Sequence, residues 1–270
     1  MNQQSLFWNL FILFTAGWLM GVSAVESPQT SPPSRPATAD NILSEARQLV
    51  ESGELLAAKE KYKLCLSQKN TPALKQDIRK ELEVLNCKIL FSKTLTPGSI
   101  LYEVKLGDSL YKIAKEHNTT AELIARSNQI KGFVIYPGTK LKVVTAPFSI
   151  KVNLSKNRLY LLQGGEIVKT YSVATGENLS TPVGSFTIDN KLVNPTWYRA
   201  GAVVPPDSPE NILGTRWLGF SIPSFGIHGT TQPESIGKNT SAGCIRMLNE
   251  DVEELYGIVP LKTPVTVVKS

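Results

Sequence analysis

The strongest nucleophile a protein can offer is a cysteine thiolate, and a thiol at neutral pH needs a base or a cation beside it to become one. The chain has three cysteines, Cys65, Cys87 and Cys244, and two histidines, His117 and His228. His117 stands in the polar run KEHNTT and reads as a solvated surface residue. His228 stands in FGIHGT, apolar residues leading into a turn, and precedes Cys244 by sixteen positions. Cys244 lies in SAGCIRM. There Gly243 lets the backbone bend so that N–H groups converge beside the sulfur, as an oxyanion requires. Arg246 adds a fixed cation that favours the thiolate or an anionic substrate group, and Arg246 with Ser241 is expected to hold the site and a substrate carboxylate. A lone buried cysteine or a lone structural histidine would need no chemistry. Together these residues describe nucleophilic catalysis by cysteine, with Cys244 as nucleophile and His228 as base. Two distant histidines and no CxxC leave nothing to coordinate zinc, so neither metal nor cofactor is expected.

The other two cysteines invite a disulfide. The helices that carry them are expected to run antiparallel about a turn near Asn70, with Cys65 about five residues before the turn and Cys87 about sixteen after it. At about 1.5 Å rise per residue the two lie roughly 16 Å apart, beyond the roughly 7 Å between α-carbons that a bridge spans. Three free thiols are therefore expected.

The elements that must position Cys244 and His228 begin near residue 148. Ile150, Val152 and Leu154 alternate with Lys151 and Asn153, and Gly164-Gly165 between two apolar runs signals a hairpin. One late helix is expected over 249–256 with Asn249 as its cap, and a last strand over 264–268. Upstream, residues 101–144 read strand, helix, helix, strand, with Ser109 and either Thr119 or Thr120 as helix caps and Tyr136-Pro137-Gly138 as the closing turn. Residues 40–92 carry three apolar stripes at helical spacing, broken at Gly53 and near Pro72. Residues 26–39, with four prolines among Ser and Thr, form a linker. Residues 1–25 contain an uncharged apolar run ending in Val22-Ser23-Ala24. That run reads as a signal peptide cleaved after Ala24, or as an uncleaved anchor. The net charge of +6 is spread thinly and suits an anionic polymer such as a cell wall. Without a basic run interleaved with aromatics it excludes a nucleic-acid binder.

Two resemblances sharpen this reading. GDSL, the IA pair, Asn128 and PGTKL across 101–144 resemble a LysM domain. The resemblance implies binding of N-acetylglucosamine-containing glycan between two turns, here Gly107, Asp108, Ser109 and Leu110 on one side and Ile135, Pro137 and Gly138 on the other. IHGT followed by SIGKNTSAGCIRM, with ATG, TPVGSF, PTWY and NILGTRWLGF before them, resembles the L,D-transpeptidase catalytic domain of the YkuD type over 148–270. That resemblance implies a cysteine acyl-enzyme on a peptidoglycan stem peptide, loss of the terminal D-alanine, and either a 3–3 cross-link or hydrolysis. It also places Gly229, Thr230 and Trp217 against the substrate. Ala242 stands where many members carry a second histidine. Residues 40–92 resemble a tetratricopeptide-like repeat, which implies either a protein partner or a spacer. The chain is thus expected to be a multidomain envelope protein: helical module, βααβ LysM domain and mainly-β catalytic domain. Its alternatives are a wall-binding protein without catalysis and a papain-type peptidase. The latter is disfavoured because its cysteine precedes its histidine.

Overall fold

The structure, a computed structural model, describes residues 39–199 and 201–270. The expected signal or anchor segment and most of the Pro-rich linker lie outside these residues. Among the described residues no helix is long and apolar enough to cross a membrane.

Three helices open the described chain: α1 (Ala39–Ser52), α2 (Leu55–Ser67) and α3 (Pro72–Leu90). Gly53 at φ +84° ends the first, and Thr71 caps the third by accepting the Leu74 N–H at 3.3 Å, with Pro72 at its first position. The apolar stripes meet as expected, burying Ile42, Ala46, Leu55, Ala58, Tyr62, Ile78 and Leu85 in one cluster. All three cysteines are free. Cys65 packs inside that cluster, whereas Cys87 borders a groove lined by Phe91, Arg126, Lys169 and Glu254.

Next comes β1 (Ser99–Glu103), α4 (Leu110–Glu116), α5 (Ala121–Ser127) and β2 (Lys140–Val144), with β1 and β2 antiparallel. Ser109 caps α4 by accepting the Lys112 N–H, and Thr120, not Thr119, caps α5 by accepting the Leu123 N–H. Asn128 ties α5 to β2, accepting the Lys142 N–H and donating to the Lys142 carbonyl, both at 2.8 Å. His117 is half-buried rather than fully solvated, because its ring packs edge-on against Tyr102 at 5.6 Å.

The remaining elements are β3 (Phe148–Asn153), β4 (Arg158–Gln163), β5 (Glu166–Ser172), β6 (Thr175–Gly176), β7 (Gly184–Val193), β8 (Trp197–Arg199), β9 (Ala202–Val204), β10 (Arg216–Phe220), β11 (Gly226–His228), β12 (Asn239–Ser241), β13 (Ile245–Arg246), α6 (Asn249–Ile258) and β14 (Pro264–Val268). Eight of these strands form one sheet in the order β13-β11-β10-β7-β14-β3-β4-β5. It is mixed: β14 runs parallel to β3 and β11 parallel to β13, while the other pairs are antiparallel. The Gly164-Gly165 turn has φ of +57° and +86°, the double positive φ that a tight hairpin demands. Asn153, expected on the solvent side, is buried because its side chain accepts from the Ser155 hydroxyl and the Lys156 N–H and so closes the β3–β4 turn.

The helical segment is not a loose spacer. α3 lies on β5, the outermost strand, where the Glu83 carboxylate accepts from the Thr170 N–H and hydroxyl and the Asn86 amide donates to the Ile167 carbonyl. Polar side chains thereby occupy backbone groups that an open sheet edge would otherwise present to other chains. Lys142 links the βααβ unit to the same helix. Its ammonium is buried and donates to the carbonyls of Ile89 and Ser92, in the last turn of α3 and just beyond its end. Burial pulls its pKa down to about 8.

Candidate active site

β11 and β13 bring the two expected catalytic residues onto neighbouring strands, with Ile227 beside Ile245 and His228 beside Arg246. His228 ends β11 and Cys244 immediately precedes β13. The His228 imidazole is 2 % exposed and stacks on Trp217, ring centres 5.9 Å apart and planes 18° from parallel. Trp217 is held by its Nε1–H donating to Asn190 Oδ1 at 2.9 Å. His228 Nδ1 lies 2.7 Å from the Gly229 carbonyl oxygen. A carbonyl can only accept, so Nδ1 carries the proton and, in the neutral ring, Nε2 holds the lone pair. The acceptor that orients the imidazole is therefore main chain, and it belongs to the very next residue. Burial depresses the His228 pKa to about 4, opposed by the Gly229 carbonyl, reinforced by the Arg246 charge and opposed again by the backbone of Leu213.

Cys244 is partly exposed. Its sulfur lies 3.4 Å from the carbonyl oxygen of Ser224, a residue held at φ +68°. Positive φ at a serine is uncommon and marks a constrained turn. Burial raises the thiol pKa, while the Gly226 N–H and the Arg246 guanidinium pull it back. The loop before the sulfur is closed by Ser241, which is buried; its hydroxyl donates to the Cys244 carbonyl at 2.6 Å and accepts the Gly243 N–H at 3.1 Å. Gly243 has φ +132°, and a Cβ there would approach Phe225 at 2.7 Å and the Ser180 carbonyl at 3.1 Å. Glycine is required twice over, by dihedral and by space.

Arg246 is buried, with one guanidinium nitrogen donating to Gln232 Oε1 at 3.1 Å and its Nε buried without a partner. Its main chain exchanges two hydrogen bonds with Ala174, which fastens the ATG segment to the cysteine strand. Gly229 and Thr230, placed against the substrate by resemblance, are buried and committed. The Gly229 carbonyl faces the imidazole, and the Thr230 hydroxyl accepts the Gln232 N–H. The sequence read Asn249 as a helix cap, but Leu248 takes that position without a side-chain bond. The Asn249 side chain instead accepts N–H groups from Thr215 and Thr230. No local signal identifies that role, because its partners come from two other segments. Ser224 and Gln232 were equally silent in the sequence.

At the second site Gly107 and Gly138 both adopt φ +82° in exposed turns. The two turns are joined by the Gly138 N–H donating to the Val104 carbonyl. Asp108 accepts from Tyr102, the Lys105 N–H and Lys112, so its carboxylate braces the turn. Ser109 is occupied as the α4 cap. Leu110 is 0 % exposed, because α4 turns it into the core, so its side chain does not face the groove. Ile135 is half-buried and Pro137 exposed. Beside them stand Leu106, 91 % exposed, and Tyr136, 70 % exposed, apolar surface that the spacing of the motif did not single out.

A cysteine and a buried histidine on adjoining segments of a mixed β-sheet, joined to a small βααβ unit, define the class, and comparison with known proteins places it. Residues 147–267 match the L,D-transpeptidase catalytic domain and residues 102–144 the LysM domain. Similar relatives include the putative L,D-transpeptidase YkuD of Bacillus licheniformis, 38 % identical over 177 residues that make up 62 % of this chain and 98 % of that one. The Bacillus subtilis protein of the same name is 35 % identical over 175 residues, again 62 % and 98 % of the two chains. The solved catalytic domain of an Enterococcus faecium L,D-transpeptidase is 26 % identical and aligns with 46 % of this chain and 98 % of that one, at a TM-score of 0.38. The chain belongs to the YkuD-type L,D-transpeptidase family.

Proposed function

We propose that this protein is a peptidoglycan L,D-transpeptidase of the cell envelope, working through a Cys244 thioester, with its LysM domain holding N-acetylglucosamine-containing glycan. The Cys244 thiol gives its proton to His228 Nε2, and the thiolate so formed attacks the carbonyl of the third residue of a stem tetrapeptide. The tetrahedral oxyanion meets the Cys244 N–H, since the Gly243 N–H is engaged by Ser241. Collapse breaks the bond to the terminal D-alanine, whose amine takes the proton from His228. An amine of a second stem then attacks the thioester and forms a 3–3 cross-link. Water in the same role makes the protein a carboxypeptidase. The observation that carries this reading is the commitment of His228 Nδ1 to the Gly229 carbonyl, which leaves Nε2 as the base.

Incubation with disaccharide tetrapeptide followed by mass analysis tests it. The wild-type protein releases D-alanine and yields either cross-linked dimer or tripeptide. Cys244→Ala is expected to lower release by a factor of roughly 10³ or more. Release by that variant near the wild-type rate would remove Cys244 from the mechanism.

A further inference from the structure

We infer that Asn249 is the positioning residue of the catalytic histidine, acting through the peptide unit between Gly229 and Thr230. This inference rests on the reading of His228 as the base of Cys244. The carbonyl of that peptide unit lies against His228 Nδ1 at 2.7 Å, and its N–H donates to Asn249 Oδ1 at 3.1 Å. A peptide unit is a rigid plane, so the bond on one side sets the direction of the group on the other. With the N–H pinned, the carbonyl cannot swing away from the imidazole. An N–H that donates also polarises its own carbonyl and strengthens the bond to Nδ1–H.

The same oxygen accepts the Thr215 N–H at 3.2 Å. It therefore joins the beginning of β10 to the end of β11, the two strands that carry Trp217 and His228. Both flanking glycines make room for it. A Cβ on Gly214 or on Gly229 would collide with Asn249 Oδ1. The oxygen is held from the other side by α6, which buries Val252, Leu255 and Ile258 in the sheet core and starts at Asn249. The sequence element that looked like an ordinary cap thus supplies, through main chain, what an orienting carboxylate supplies to histidine in other hydrolytic triads. Asn249 is not placed to touch the substrate; its effect runs through Gly229 to the imidazole tautomer.

Asn249→Leu and Asn249→Asp in the full chain test the assignment. The leucine keeps the branching but removes the acceptor, whereas the aspartate keeps an oxygen for both N–H groups. For Asn249→Leu, kcat for D-alanine release should fall about 30-fold with KM changed less than about threefold, the scale of losses when an outer hydrogen-bond partner is removed. Two readouts follow the imidazole itself. The pH midpoint for iodoacetamide alkylation of Cys244 should rise. The ¹⁵N signals of His228 should change from one tautomer to a mixture. Asn249→Asp should restore all three to near wild type. Asn249→Leu that is folded and keeps the wild-type kcat, alkylation midpoint and ¹⁵N pattern would overturn the inference, as would a loss of Tm with an unchanged tautomer. Should the leucine variant fail to fold, Asn249→Ala takes the same readouts. If the wild-type protein releases no D-alanine, the catalytic reading falls, and the tautomer of the Asn249 variants decides this inference by itself.

Discussion

Glycine turns stand at both expected sites, one at the catalytic site and two at the glycan site, and they are built in opposite ways. Gly243 is walled in by Phe225 and the Ser180 carbonyl, and its neighbours Ser241, Ile245 and Arg246 are buried. Gly107 and Gly138 share a positive φ, yet a Cβ on either would meet nothing within 4 Å. Around the first, the base is 2 % exposed; around the second, Leu106 and Tyr136 stand out in solvent. Under the proposed function the contrast follows from what each turn recognises. A charge that develops during a reaction is stabilised by dipoles fixed in advance and shielded from water. A glycan already present in the wall is met by accessible apolar surface beside a turn. Catalysis is therefore sensitive to any atom added at its turn, and the glycan site to the shape of its surface alone.

Alanine at position 243 tests this contrast most severely. The new methyl must displace Phe225 while the backbone holds a dihedral that L-residues avoid. Its expected cost is a fall of roughly 10² to 10³ in kcat for D-alanine release, comparable to the loss of one oxyanion donor. A variant within threefold of wild type would show that the SAGC loop relaxes and that the catalytic turn is no more confined than the LysM turn.

The buried base gives a second, smaller effect, read in stability. With its pKa held at about 4 against an ordinary 6.5, His228 binds its proton more weakly in the folded chain than in the unfolded one. Its contribution is complete above about pH 6.5 and is lost as the pH falls towards 4. The full difference amounts to about 3 kcal/mol at 1.36 kcal/mol per unit. Urea titrations between pH 7 and pH 4 should show that loss in the wild-type protein and a shallower one in His228→Gln, which has no charge to gain. Parallel slopes for the two would mean that the imidazole is reached by water, and the difference between the two sites would narrow.

The features legible in the sequence were those whose causes are local. Ser109 and Thr120, the latter one of two candidates, cap helices through N–H groups three residues away, and the Gly164-Gly165 hairpin needs only its own dihedrals. His228, Gly243 and Cys244 could be recognised because the motif names them. The supports of the site escaped notice, and for one physical reason. Asn249 finds its partners at Thr215 and Thr230, Lys142 at Ile89 and Ser92, and Glu83 at Thr170. Asn249 looked cap-like, Lys142 and Glu83 carried no local signal, and only tertiary packing supplies the groups that engage them. Leu110 belongs both to the glycan-binding motif and, by helical spacing with Ile113 and Ala114, to the buried face of α4, and the structure places it in the core.

The smallest effect is the same substitution made at the other turn. Gly107→Ala adds a methyl that touches nothing, so its whole cost lies in holding an alanine at φ +82°. Left-handed backbone costs an L-residue roughly 1 to 2 kcal/mol, and the lower value applies where the turn is exposed and can adjust. The variant should therefore lose about 1 kcal/mol of stability, seen as a small decrease in Tm. Co-sedimentation with insoluble peptidoglycan should remain, because Leu106, Tyr136 and Pro137 keep their exposed faces. D-alanine release from soluble tetrapeptide should be unchanged, since the turn lies outside the catalytic sheet. A loss of sedimentation without a loss of Tm would mean that the glycan packs against Gly107 itself. The LysM turn would then be as intolerant of an added atom as Gly243, with the confinement arriving only when the wall is bound.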